Sequence, residues 1–108
     1  DVEDEATFTN GGLAIDYAAG IATLAERELH LTPIEYRLLC LLSKNVDKVL
    51  THSYILREVW GDGQMGDIAS LRVFMGTLRK KIEADPAHPR YIQTHVGVGY
   101  RMVRVDDE

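Results

Sequence analysis

Between Ile68 and Ile82 the chain carries Arg72, Val73, Gly76, Thr77 and Lys80 at spacings that gather them on one side of a helix. At about 100° per residue, Leu71, Met75, Leu78 and Ile82 stack into a narrow apolar stripe, while Ala69 joins the others on the broad opposite side. The stripe calls for a protein core. The opposite side is small, basic and partly methyl-bearing, a mixture suited to the major groove of DNA. There a guanidinium can donate a bidentate pair to guanine, a methyl-bearing side chain can pack on a thymine methyl, and cations meet phosphate. A solvated helix face more often carries Glu/Lys pairs and no glycine.

Other chemistries find little support. His30, His52, His88 and His95 share no metal-ligand spacing and have no cysteine partner, so no metal site is expected. Ser43, Ser53 and Ser70 lack both an elbow motif and a base fixed nearby in sequence. Gly97-Val98-Gly99 is too short for a dinucleotide fingerprint and reads as a hairpin turn. The expectation is a chain that is not an enzyme and needs no cofactor. Cys40 is the single cysteine and cannot form an intrachain disulfide, which points to a reducing, cytoplasmic setting. Within an apolar helix it reads as a small buried hydrophobe. No apolar run approaches the ~20 residues of a membrane span.

The net charge of −5 over 108 residues argues against nucleic acid if taken whole. Its distribution reverses that inference. Residues 1–31 hold seven acids against Arg27, whereas residues 69–105 hold Arg72, Arg79, Lys80, Lys81, Arg90, Arg101 and Arg104 against only Glu83 and Asp85. Basic charge is concentrated around the two-sided helix, as in a nucleic-acid footprint.

The elements that must position this helix follow from turn and cap chemistry. Leu13 to Tyr17 and Ile21 to Ala25 are short apolar runs bounded by Asn10-Gly11-Gly12 and Ala18-Ala19-Gly20, and Phe8 and Glu28 to Leu31 can add a strand on each side. The spacing predicts a four-stranded antiparallel sheet. Thr32-Pro33-Ile34-Glu35 is a capping box that opens a helix ending near Lys44-Asn45. After an extended connector at Val49-Leu50, Thr51 can cap a second helix through Trp60. Gly61 to Gly66 must be loop, Asp67 can cap the third helix to about Ala84, and Pro86 and Pro89 stop it. Tyr91 to Thr94 and Gly99 to Val103, joined by His95 to Val98, form a closing hairpin. The fold class is α+β: a winged helix-turn-helix with an N-terminal four-stranded antiparallel sheet, three helices and a C-terminal β-hairpin wing.

Leu31-Thr32-Pro33-Ile34-Glu35-Tyr36-Arg37-Leu38-Leu39, Val49-Leu50-Thr51, Val59-Trp60-Gly61, the helix from Leu71 to Ile82 and the ending Gly97-Val98-Gly99-Tyr100-Arg101 resemble the effector domain of OmpR/PhoB-type response regulators. The third helix and residues 83–90 are most similar to the branch that controls potassium-transport genes. The resemblance implies a linker end at 1–6, a winged-helix DNA-binding domain at 7–105 and an acidic tail at 106–108. It also implies base contacts from Arg72, Val73, Gly76 and Thr77, and phosphate contacts from Trp60, Arg79, Lys80, Thr94 and Tyr100. The wing would be His95, Val96, Gly97, Val98 and Gly99, with Arg101 nearby. Implied partners are promoter DNA with direct repeats, bound as a dimer, a receiver domain and sensor kinase, and RNA polymerase through loop 61–66. Two departures stand out: His95-Val96 replaces a wing arginine common in relatives, and Gly76-Thr77 replaces arginines found in several. The acidic total and the missing wing arginine leave an alternative, a winged-helix protein-interaction module without DNA binding.

Overall fold

Thr32 is where the chain changes from sheet to helix. In the computed structural model, which describes residues 6–61 and 66–105, Thr32 stays extended and its hydroxyl accepts the Glu35 amide. The Glu35 carboxylate in turn accepts the Thr32 N–H at 2.9 Å. Pro33 follows at the first helical position, where a missing N–H costs nothing, and helix α1 runs Pro33–Lys44. Thr51 accepts from the Tyr54 amide to start α2, His52–Trp60. Asp67 accepts from the Ser70 amide to start α3, Ile68–Ile82. All three caps are the residues expected from the sequence. The last helix stops at Ile82 rather than near Ala84, because Glu83 turns extended. Its carboxylate gathers the N–H groups of Arg90, Tyr91 and Ile92 at 2.7 to 3.1 Å.

The N-terminal sheet is an antiparallel meander of β1 (Thr7–Asn10), β2 (Leu13–Asp16), β3 (Ile21–Leu24) and β4 (Arg27–Glu28). Gly11 and Gly20 make its first two turns with φ of 59° and 71°, a region that costs a side chain energy. Strand β4 is shorter and earlier than the Glu28 to Leu31 expected. Alternation sends Leu13, Ile15 and Ala22 into the core.

The second sheet has three strands, not two. Between Ile92 and Met102 lie β6 (Ile92–His95) and β7 (Gly99–Met102), and β5 (Leu50–Thr51) pairs with the far edge of β7 to give the order β5-β7-β6. The connector expected at Val49-Leu50 is thus a sheet member, too short to show any periodicity. Gly99 permits this pairing: a Cβ there would lie 2.7 Å from the Leu50 carbonyl carbon and 2.9 Å from the Thr51 Cα.

Leu38, Leu39 and Leu42 of α1, Ile55 and Val59 of α2, and Ile92 and Met102 of the second sheet enclose the apolar stripe of α3. Leu71, Met75, Leu78 and Ile82 are each no more than 1% exposed, as the stripe requires. Lys81 reaches from the last turn of α3 to the Glu35 carboxylate at 2.7 Å and to the His30 carbonyl at 2.8 Å. Glu35 is 2% exposed, and burial alone would raise its carboxyl. Hydrogen bonds from Lys81, from the Thr77 side chain and from the Thr32 amide, with the Lys81 charge, outweigh burial and hold it below the usual carboxylate range. The N-terminal sheet is stitched to the chain leaving the wing: Asn10 donates to the Val103 carbonyl at 2.9 Å and accepts from the Val105 amide at 2.8 Å.

Residues 1–5 of the expected linker, the tail at 106–108 and positions 62–65 of the loop lie outside the described residues. No described helix is long and apolar enough to cross a membrane.

Candidate nucleic-acid interface

Three consecutive cations at the end of α3 take three directions, as steps of about 100° require. Lys81 turns to α1, Arg79 turns to the wing, and Lys80 faces outward. Among the described residues neither Arg72 nor Lys80 makes an intramolecular hydrogen bond or ion pair, and both are exposed. Of the four basic side chains on this helix, the fold therefore leaves two for a partner. Val73 lies between them, 62% exposed. Thr77 is half-buried, donates its hydroxyl to the Phe74 carbonyl at 2.9 Å and lies beside the Glu35 carboxylate of α1, so the hydroxyl expected to meet a base edge is turned into the fold.

Gly76 has no packing reason to be glycine. A Cβ built there meets nothing within 4 Å, and its φ is not in the left-handed region. Gly76→Ala is expected to stabilise the fold by about 0.5 to 1 kcal/mol, since glycine is penalised in a helix interior. The same change should weaken DNA binding if the helix backbone must come close to base edges. Chemical denaturation and duplex titration of one variant measure both effects, and unchanged binding would remove the close-approach argument.

On the wing side, one Arg79 nitrogen, Nη2, donates to the Ile92 carbonyl at 2.9 Å and to the Thr94 hydroxyl at 2.7 Å. The guanidinium lies over the Tyr100 ring at 5.5 Å, and its burial lowers its pKa from the ordinary arginine value. Tyr100 is only 4% exposed, with the His52 ring packed against it edge-to-face at 5.7 Å. Only the rim of Tyr100 can meet an outside ligand. Thr94 pairs with Tyr100 across the hairpin and is exposed. Arg101 lies on the opposite face, where it donates to its cross-strand partner Gln93 at 2.7 Å.

The hairpin tip is apolar. Val96 is 90% exposed, Val98 is exposed beside it, and Gly97 supplies the left-handed residue of the turn with φ of 77°. His95 is half-buried with its Nε2 sealed and unpaired, and Gly99 lies within β7 against β5. Trp60, half-buried, packs on Phe74 with ring centroids 5.9 Å apart. Gly66 approaches the same tryptophan so closely that a Cβ would fall 2.7 Å from the indole. The tryptophan thus fastens the end of α2 to α3.

Arg72, Val73, Gly76 and Lys80 come together on one open surface, Thr94 and the rim of Tyr100 border it, and Arg79 forms the seam between the two parts. Arg101 and His95 lie off that surface. Among the described residues no group of three or more His, Cys, Asp or Glu is placed to hold a metal ion. The Lys81–Glu35 pair, which removes one apparent surface cation, spans 46 positions and left no local signal in the sequence.

Comparison with known proteins agrees with this geometry. Residues 26–102 match the family described as transcriptional regulatory protein, C terminal. A stretch of 91 residues, 84% of the chain, is 46% identical to the KDP operon transcriptional regulatory protein KdpE of Escherichia coli K12 and spans 40% of it. The response regulator DrrB of Thermotoga maritima, an OmpR/PhoB homologue, superposes with a TM-score of 0.85 at 32% identity, over 94% of this chain and 47% of DrrB. The DNA binding domain of CpxR from E. coli superposes with a TM-score of 0.76 at 27% identity, over 91% of this chain and 96% of that domain. The chain thus spans less than half the length of KdpE and DrrB. From the capped helices to the hairpin, this chain belongs to the family of transcriptional regulatory protein C-terminal domains, the non-enzymatic effector domains of OmpR/PhoB-type response regulators.

Proposed function

We propose that the domain binds double-stranded DNA in a sequence-specific manner, with α3 in the major groove and the β6–β7 hairpin beside the neighbouring backbone. The observation that carries this reading is the open face of α3. Exposed Arg72 and Lys80, unpaired among the described residues, border Val73 and a glycine that nothing covers. Arg72 donates a bidentate pair to guanine, Val73 packs on a thymine methyl and the backbone at Gly76 approaches the base edges. Lys80, Thr94, the Trp60 indole N–H and the rim of Tyr100 meet phosphates. A winged helix devoted to protein contacts alone would need an acidic partner to meet the two unpaired cations.

The same reading makes this the effector part of a two-component regulator working in the cytoplasm. A receiver domain phosphorylated by a sensor kinase pairs two such domains on promoter direct repeats. Loop 61–66 meets RNA polymerase, and the controlled genes serve potassium transport. The likeness to the E. coli KDP operon regulator supports the last point.

Selection of bound duplexes from a random pool tests the proposal. Arg72→Ala is expected to lose discrimination at one or two base pairs, about 1 to 3 kcal/mol each. Lys80→Ala is expected to weaken binding to all sequences and to flatten the salt dependence by about one unit. If both variants bind selected and random duplexes like the parent, α3 is not the reading element.

A further inference from the structure

Resting on the DNA-binding reading, we infer that Arg79 is a positioning residue for the wing and not a phosphate ligand. Its guanidinium fixes the hairpin against α3 and leaves the Thr94 hydroxyl as a hydrogen-bond donor facing the DNA backbone. An arginine Nη carries two hydrogens. Both of those on Nη2 are engaged, one by the Ile92 carbonyl at 2.9 Å and one by Thr94 Oγ1 at 2.7 Å. Nε is sealed from solvent with no partner, which leaves Nη1 as the one nitrogen neither bonded nor sealed. A phosphate could be met in place by Nη1 alone, and a swing of the whole guanidinium outward would break both wing bonds and lift it off Tyr100.

A hydroxyl that accepts from a guanidinium keeps its own hydrogen free and donates it more strongly. Thr94 is exposed and has no other side-chain partner among the described residues, so that hydrogen faces outward. The seam extends beyond Arg79: the His52 ring also packs on Tyr100, and its amide donates to the Val98 carbonyl at 3.0 Å. One planar side chain therefore sets the spacing between the major-groove helix and the wing. Lysine is a poor replacement, because its compact, strongly hydrated ammonium lacks the flat guanidinium face that lies over the Tyr100 ring.

The test titrates a fluorescein-labelled duplex, recovered from a random pool with the parent chain, at several salt concentrations from about 50 to 200 mM. The proteins are the parent, Arg79→Lys, Arg79→Gln, Thr94→Ala and the double variant Arg79→Gln/Thr94→Ala, each held below its melting transition. Arg79→Lys and Arg79→Gln should lower affinity alike, by roughly tenfold, with the salt slope unchanged. Thr94→Ala should cost roughly fivefold in the parent and nothing on the Arg79→Gln background, the signature of coupled groups. Parental binding by Arg79→Lys together with a slope reduced by about one unit in Arg79→Gln would make Arg79 a phosphate ligand and overturn the inference. Additive losses from Arg79 and Thr94 would also overturn it. Where Arg79→Gln does not fold, Arg79→Lys decides alone: a parental melt with tenfold weaker binding supports the seam, and parental binding removes it. A parent that retains no duplex refutes the DNA reading itself, before any variant is compared.

Discussion

Replacing Glu83 with alanine is expected to destabilise the domain by about 4 kcal/mol, an effect on the scale of emptying a core position. The carboxylate is 6% exposed and accepts three successive backbone N–H groups, those of Arg90, Tyr91 and Ile92. Tyr91 and Ile92 are buried, so their amides would find no water in its place. Each unsatisfied buried donor costs about 1 to 3 kcal/mol, and domains of this size have only about 5 to 15 kcal/mol in total. Glu83→Gln keeps an acceptor oxygen and should lose about half as much. Urea unfolding followed by circular dichroism measures both, and an alanine variant within about 1 kcal/mol of the parent would show that the loop finds other acceptors. The loss should also reach DNA binding, because this carboxylate ties the end of α3 to the first strand of the wing.

Gly99→Ala is expected to cost about 3 kcal/mol, the upper end of ordinary overpacking. The new methyl would face the Leu50 carbonyl and the Thr51 Cα, both backbone, so no rotamer change can relieve the clash. Strand β5 would have to separate from β7, and Thr51, the cap of α2, would move with it. Gly97→Ala is the internal comparison: its surroundings are open, its φ of 77° is strained for alanine, and about 1 kcal/mol should be lost. Equal losses at the two positions in thermal denaturation would contradict the packing explanation for Gly99.

The elements that could be read from sequence are those whose cause is local. Thr32, Thr51 and Asp67 announce their helices by cap chemistry within four residues, and the stripe of α3 follows from its period. Gly76 was recognisable as an oddity, and the open space around it gives that oddity a meaning. The features that escaped depend on distant parts of the chain. Strand β5 is two residues long and exists only because β7 offers it an edge. Arg79-Lys80-Lys81 reads as one basic patch, yet Glu35 and the hairpin each withdraw one of its charges from the surface. Tyr100, expected as a phosphate contact, lies almost wholly under Arg79 and His52, a burial that its own neighbours in sequence do not foretell.

The stitch between Asn10 and the chain beyond the wing has a consequence for how the protein is made. Asn10 and Val103 are 93 positions apart, and Asn10 also holds Val105. Closing so long a loop is entropically costly, and its reward comes only when both ends are present. On a ribosome, which delivers the chain from its amino end, the first meander emerges early but must wait for the segment that follows the last strand. The wing and the N-terminal sheet are then secured in a single late event, so a nascent chain halted before Val105 holds an α3 that its scaffold cannot yet aim.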